Sequence, residues 1–124
     1  MAKVSIVDKK VGMTARDIIK YQLLSHCFVH SIPHSEAELD CLTMLGAYGE
    51  CGLSEFCNSA VDENIFKVPQ TVRNFLTKAE KHGLIDKRGK SRKTIRLKDS
   101  MKIQTKGNIV LNYKIYHLVD TEES

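Results

Sequence analysis

The sequence predicts an α+β domain, on three observations. Apolar residues recur at helical spacing through the first two thirds of the chain. After Gly83 the period changes from about 3.6 to 2. A basic run, KRGKSRKTIRLK at 87–98, falls within the alternating part and holds seven Lys or Arg in twelve positions with no acid. That run is either a hairpin tip that grips phosphate or a well-solvated loop, and its neighbours must decide which.

Residues 1–13, MAKVSIVDKKVGM, read as an extended arm ended by Gly12. Thr14 can cap the helix that follows, with Asp17 three residues later in capping-box position. This accessory helix covers 14–30. Its apolar residues occupy two sides: Ile18, Tyr21, Phe28 and Val29 on one, Ile19, Leu23 and Cys27 nearly opposite, with Leu24 between. One side is expected to pack on its own domain and the other to pair two copies, making a homodimer through helix 14–30. Ser31-Ile32-Pro33-His34 breaks the helix, and Ser35 with Glu38 opens SEAELDCLTMLGAY through a second capping box. Leu39, Leu42 and Leu45 recur there at helical spacing, and Gly46, Gly49 and Gly52 mark the exit. A short helix, LSEFCNSAV, then runs through Leu53, Phe56, Cys57 and Ala60.

After the loop DENIFK, Pro69 suits the first turn of a helix, PQTVRNFLTKAEKH, that ends at Gly83. Val72, Phe75, Leu76 and Ala79 define its buried side. Gln70, Arg73, Asn74, Thr77, Lys78 and Lys81 face outward together. LIDKR and RKTIRLK read as two strands around a Gly89-Lys90-Ser91 tip, with Ile85, Ile95 and Leu97 directed inward. Residues 103–118 contain a turn at Lys106-Gly107-Asn108 and a strand with Ile109, Leu111, Tyr113 and Ile115 on one face. Residues 119–124 form an acidic tail.

Helix, short helix, longer helix and basic hairpin, in that order, make the layout of a winged helix-turn-helix: a three-helix core with a basic β-hairpin wing, here with an extra N-terminal helix and a C-terminal strand. VPQTVRNFLTKAEKHGLIDKRGKSRKTIRL resembles the recognition helix and wing of MarR-like and related bacterial or phage regulators. The matching residues are Gln70-Thr71-Val72, Leu76, Glu80, Gly83-Leu84-Ile85 and Lys87 to Lys93. The resemblance covers about residues 35–98 of a single domain at 14–118. The chain as a whole, IQTKGNIVLNYK in particular, also resembles small proteins encoded by tailed bacteriophages.

The resemblance implies a transcription or replication regulator that reads duplex DNA with helix 69–82 and wing 87–93. Arg73 has the chemistry for guanine, and Gln70 and Asn74 that for adenine. Thr71, Thr77, Lys78 and Lys81 would hold phosphates. On the wing, Lys87, Arg88, Lys90, Ser91, Arg92 and Lys93 would follow the adjacent backbone or minor groove. A charge run on a hairpin is ordinarily a solvated surface, but its placement after this helix pattern favours phosphate.

Charge segregation agrees with a polyanionic partner. Residues 67–98 carry net +9 and residues 32–66 net −7, within a total of +4. Against it stand Glu55, Asp62 and Glu63 on and after the short helix. They keep open an adaptor reading, a virion assembly or connector component whose basic hairpin meets an acidic protein surface.

Catalysis and metal binding find no support in the sequence. His26, His30 and His34 stand four apart, but Pro33 ends the helix before the third. Cys41, Cys51 and Cys57 fall amid apolar helical positions and read as small core residues. No phosphate-binding glycine motif and no activated nucleophile occurs, so no enzyme, cofactor or metal is expected. With Cys27 unpaired by any C-x-x-C spacing, no leader, and no apolar run near the ~18 residues of a membrane span, the expected setting is a reducing cytoplasm, or a virion.

Overall fold

The structure is a computed structural model that describes residues 14–105 with their side chains and strands Lys3–Val7 and Ile115–Val119 by backbone alone. In chain order the elements are β1 (Lys3–Val7), α1 (Ala15–Val29), α2 (Glu36–Tyr48), β2 (Cys51–Gly52), α3 (Leu53–Asp62), α4 (Pro69–Lys81), β3 (Ile85–Arg88), β4 (Thr94–Leu97) and β5 (Ile115–Val119). Both capping boxes form: Thr14 with Asp17, and Ser35 with Glu38, each exchange two side-chain to backbone hydrogen bonds of 2.9–3.1 Å. Each box satisfies N–H groups that a helix start leaves without partners.

α2 is the centre of the domain. Leu39, Leu42 and Leu45 are buried as the spacing predicts, and so are Cys41, Thr43, Met44 and Gly46. Thr43 is tolerated there because its hydroxyl donates to the Leu39 carbonyl at 2.9 Å. α1 packs along α2 through Ile19, Leu23 and Cys27. Its opposite side stays uncovered among the described residues, with Phe28 83% and Val29 74% exposed. Gly46 does not mark an exit, because it lies inside α2, where α1 and β4 both come close. A Cβ there would sit 2.9 Å from Ile19 Cγ2 and 2.9 Å from Leu97 Cδ1.

A three-stranded antiparallel sheet, ordered β2-β4-β3, closes the core. The two-residue β2, unforeseen in the sequence, pairs Cys51 with Ile95 and Gly52 with Thr94. The hairpin register sets Ile85 opposite Leu97 and Lys87 opposite Ile95. Ile85 and Ile95 are buried and Leu97 packs at the edge of the core. The hairpin tip is longer than a Gly-x-Ser turn: Gly89 at φ +81 leads into a 3₁₀ turn over Lys90–Arg92 in which Ser91 and Arg92 also take positive φ. Gly83 at φ +74 makes the left-handed turn out of α4 that the sequence predicts.

β1 and β5 form a separate two-stranded antiparallel sheet, Lys3 opposite Val119 through Val7 opposite Ile115. Part of the stretch read as an extended arm is therefore paired with the C-terminal strand, which does not extend the three-stranded sheet. The expected turn at Lys106-Gly107-Asn108, the strand face of Ile109, Leu111 and Tyr113, and the tail beyond Val119 lie outside the described residues. Before them, Gln104 is tied to α1 by paired bonds to Gln22 of 2.8 and 2.9 Å. Gly46→Val is expected to destabilise the protein by about 2 kcal/mol despite valine's better helix propensity, because overpacking between α1 and β4 outweighs it. A lower urea midpoint at unchanged slope checks this.

Candidate nucleic-acid interface

The outward face of α4 and the hairpin form one surface. Side chains alternate along a strand, so Lys87 shares the face of β3 that Ile85 turns toward the core. Its stem is half-buried and its ammonium emerges beside α4, where Nζ donates to Thr77 Oγ1 at 3.3 Å. Thr77 in turn donates to the Arg73 carbonyl at 3.1 Å. Near the tip, Arg92 is ion-paired with Glu80 of α4. Two contacts thus seat the hairpin against one flank of the helix.

Each residue expected at the interface has a definite place. Gln70, Thr71, Asn74, Thr77, Lys78 and Lys81 are exposed on α4, as are Arg88, Lys90, Ser91, Arg92 and Lys93 on the hairpin. Arg73 and Lys87 are half-buried. Gln70 and Asn74 are bonded to each other at 2.9 Å. Arg73 is drawn toward α3, its Nη2 donating to Ser54 Oγ at 2.9 Å. Lys78 reaches Glu38 of α2 at 3.5 Å. Among the described residues, Lys81, Arg88, Lys90 and Lys93 make no ion pair, and neither does Lys67 just before the helix.

The outer face of the hairpin is different. Arg96 lies 3.9 Å from Asp86 and 2.8 Å from Asp99, and Lys98 lies 3.8 Å from Asp86. Those two cations are answered locally, whereas Lys90 and Lys93 at the tip have no acidic partner among the described residues. Three partners escaped the sequence reading: Glu80, Ser54 and Glu38. Glu80 was signalled, since the wheel that turns Arg73 outward sets Glu80 on the same flank. Nothing in the sequence pairs Ser54 with Arg73, or Glu38 with Lys78.

Of the seven acids at 32–66, Glu36, Glu38, Asp40 and Glu63 are ion-paired within the chain, whereas Glu50, Glu55 and Asp62 make no ion pair among the described residues. Lys20 bridges Glu36 and Asp40, which holds its ammonium well above the ordinary lysine range. Glu63 accepts from Arg16 at 2.8 Å and from the Tyr48 hydroxyl at 2.9 Å, and these bonds lower its pKa. Its charge, counted against phosphate binding in the sequence, is therefore matched by Arg16 of α1.

The cysteines are free thiols, three buried and Cys51 half-buried. Burial pushes Cys41 up to about 12, and burial with the nearby Glu55 pushes Cys51 up to about 11. Both are protonated at neutral pH and are poor nucleophiles. Burial also raises Cys57, while Arg73 and Lys87 pull it down, as expected where α3, α4 and β3 meet. The His26 and His30 rings are in contact, tilted by 41° with centroids 4.3 Å apart, and His34 Nδ1 lies 3.2 Å from the Ile32 carbonyl. Among the described residues no group of three or more His, Cys, Asp or Glu is placed to hold a metal ion.

Fold and surface together define a class: an α+β domain whose described part holds four α-helices and a three-stranded antiparallel sheet, compatible with a winged helix. Among the described residues no helix is long and apolar enough to cross a membrane. Compared with protein-family models, curated proteins and solved structures, the chain matches none of them.

The Arg16–Glu63 pair gives a pH prediction. Because Glu63 binds its proton less readily when folded than when unfolded, its stabilisation is present above about pH 4.5 and is lost as pH falls through the depressed value. Glu63→Gln is expected to make the fall in melting temperature between pH 5 and 3 shallower. The pair is partly exposed and solvent-screened, so its share is about 0.5 kcal/mol or less.

Proposed function

We propose that the chain is a winged-helix protein that binds duplex DNA in transcription or replication control, with α4 in the major groove and the β3–β4 hairpin on the adjacent backbone or minor groove. The observation that carries the reading is the Lys87–Thr77 contact, which joins a polar helix face to a cationic hairpin in one surface. A helix about 10–12 Å across fits a groove about 12 Å wide. Lys81, Arg88, Lys90 and Lys93, with no acidic partner among the described residues, are the charges free to displace counterions from phosphate. Thr71 and Lys78 flank the helix face and serve positioning, and Arg92 reaches phosphate only by leaving Glu80.

Two copies pair through the uncovered side of α1 in this reading. A structural adaptor is the second reading, favoured by that same side: Phe28 and Val29, with Leu24, form an exposed apolar surface suited to a protein partner. Docking of the basic hairpin on an acidic surface of another copy is less favoured, because Glu36, Glu38, Asp40 and Glu63 already have cationic partners.

Duplex binding measured by fluorescence anisotropy between 50 and 200 mM salt should give a log–log slope of about −4, for four phosphate contacts. Replacing Arg88, Lys90 and Lys93 together by Ala should weaken all duplexes alike and reduce the slope to about −1. Absence of binding at 50 mM salt would end the reading. Native mass measurement should find a dimer that Phe28→Glu converts to monomer with unchanged far-ultraviolet circular dichroism. A closed higher oligomer, or stability only with a partner chain, would favour the adaptor.

A further inference from the structure

A cleft of about 340 Å³ opens between the end of α2 and the end of β4. Glu50 lines it just after α2, Arg96 and Leu97 line it on β4, and Lys102 and Ile103 line it beyond β4. Its volume is at the low end of small-molecule sites, so an occupant must be small. Five charged side chains border it, and three are already paired. Arg96 lies 2.8 Å from Asp99 and 3.9 Å from Asp86, and Lys98 lies 3.8 Å from Asp86. Glu50 and Lys102 make no ion pair among the described residues, and although they line the same cleft they are not paired with each other. One uncompensated anion and one uncompensated cation therefore border a single small cleft.

The backbone extends that polarity. Glu50 follows the C-terminal end of α2, where the helix dipole is negative and the last turn holds no basic residue to answer it. Donors gather on the other side. Both acids meet Arg96 through Nη2, so Nη1 has no partner among the described residues, and Nε is buried without one. The Lys98 N–H donates to the Leu84 carbonyl, on the β3 side, at 3.0 Å. Backbone groups alternate between the two edges of a strand, so Leu97 turns its N–H to the opposite edge, past Cys51 where β2 has ended. A simple anion in the cleft would meet Glu50 and the end of α2 at a cost, and a simple cation would meet Lys102 and Arg96 at a cost. A small molecule that carries both charges suits both sides, and Leu97 and Ile103 offer apolar contact to the rest of it.

We propose that this cleft binds a free α-amino acid with an apolar side chain: Glu50 at the end of α2 holds the ammonium, Lys102 and Arg96 hold the carboxylate, and Leu97 and Ile103 receive the side chain. The site goes beyond duplex binding and is tested without DNA. Isotope-labelled full-length protein is titrated with L-valine, L-leucine, L-isoleucine, L-methionine and L-phenylalanine, and the amide resonances of Leu97 and Ile103 are followed. At least one of these amino acids should bind with a Kd of about 1 mM or tighter. Its deaminated acid and its decarboxylated amine, for leucine 4-methylpentanoate and 3-methylbutylamine, should each bind about tenfold more weakly. Glu50→Gln should lose about tenfold for the amino acid and nothing for the acid, and Lys102→Gln about tenfold for the amino acid and nothing for the amine. The analogue measurements on the unaltered protein stand even if a variant fails to fold. No shift of either amide with any of the amino acids at about 10 mM overturns the inference. Equal binding of the acid or the amine overturns it too, as does binding unchanged in both variants. Each of these results leaves the proposed duplex binding standing, because no arm contains DNA.

Discussion

Side-chain parity along β3 is the constraint on which the candidate interface depends. Ile85 is buried, so Lys87, two residues on, must share its face and surface next to α4. A slip of one residue would turn Asp86 toward the core and Lys87 away from the helix. Burying that carboxylate without a partner would cost several kcal/mol, more than a surface hydrogen bond returns. The apolar residues of the hairpin thus fix where its cations emerge. Contact between hairpin and helix is a consequence of core burial rather than of attraction between their polar groups.

The same parity sorts the basic residues into two populations. On the other face of the hairpin, Asp86 meets Arg96 and Lys98, and Asp99 meets Arg96 again. Those charges are compensated where they stand. At the tip and along the outer ridge of α4, Lys81, Arg88, Lys90 and Lys93 have no such neighbours among the described residues. A net charge summed over a stretch of sequence treats both populations alike, and only the second has Coulombic attraction left to offer a partner. The acidic block is reduced in the same way by Lys20, Arg16 and Lys78.

α2 sets the limits of the domain. It packs against α1, α3 and β4, and α1, which meets it by one side, lies at the edge of the core. The edge position explains why a helix with two apolar sides has only one covered among the described residues. Gly46 is what allows α1 and β4 to approach α2 together, since a side chain at that position would separate them. Arg16 and Tyr48 then bind Glu63 from α1 and α2, linking the start of α1 to the end of α3.

The sequence by itself determined the local structure. Capping boxes, the positions of Pro69 and Gly83, and the change of period after α4 marked the four helices and the hairpin to within one or two residues, because each is settled by atoms a few positions apart. It also determined which side of α4 is polar. Only the tertiary structure decided which polar residues are free. Arg73, Lys78 and Arg92 read alike with Lys81 and Lys93 in the sequence, yet Ser54, Glu38 and Glu80 hold the first three. The short β2 and the pairing of β1 with β5 were hidden for the same reason. Each joins residues far apart along the chain, and partners of that kind are chosen by how the core closes, not by any period that a sequence displays.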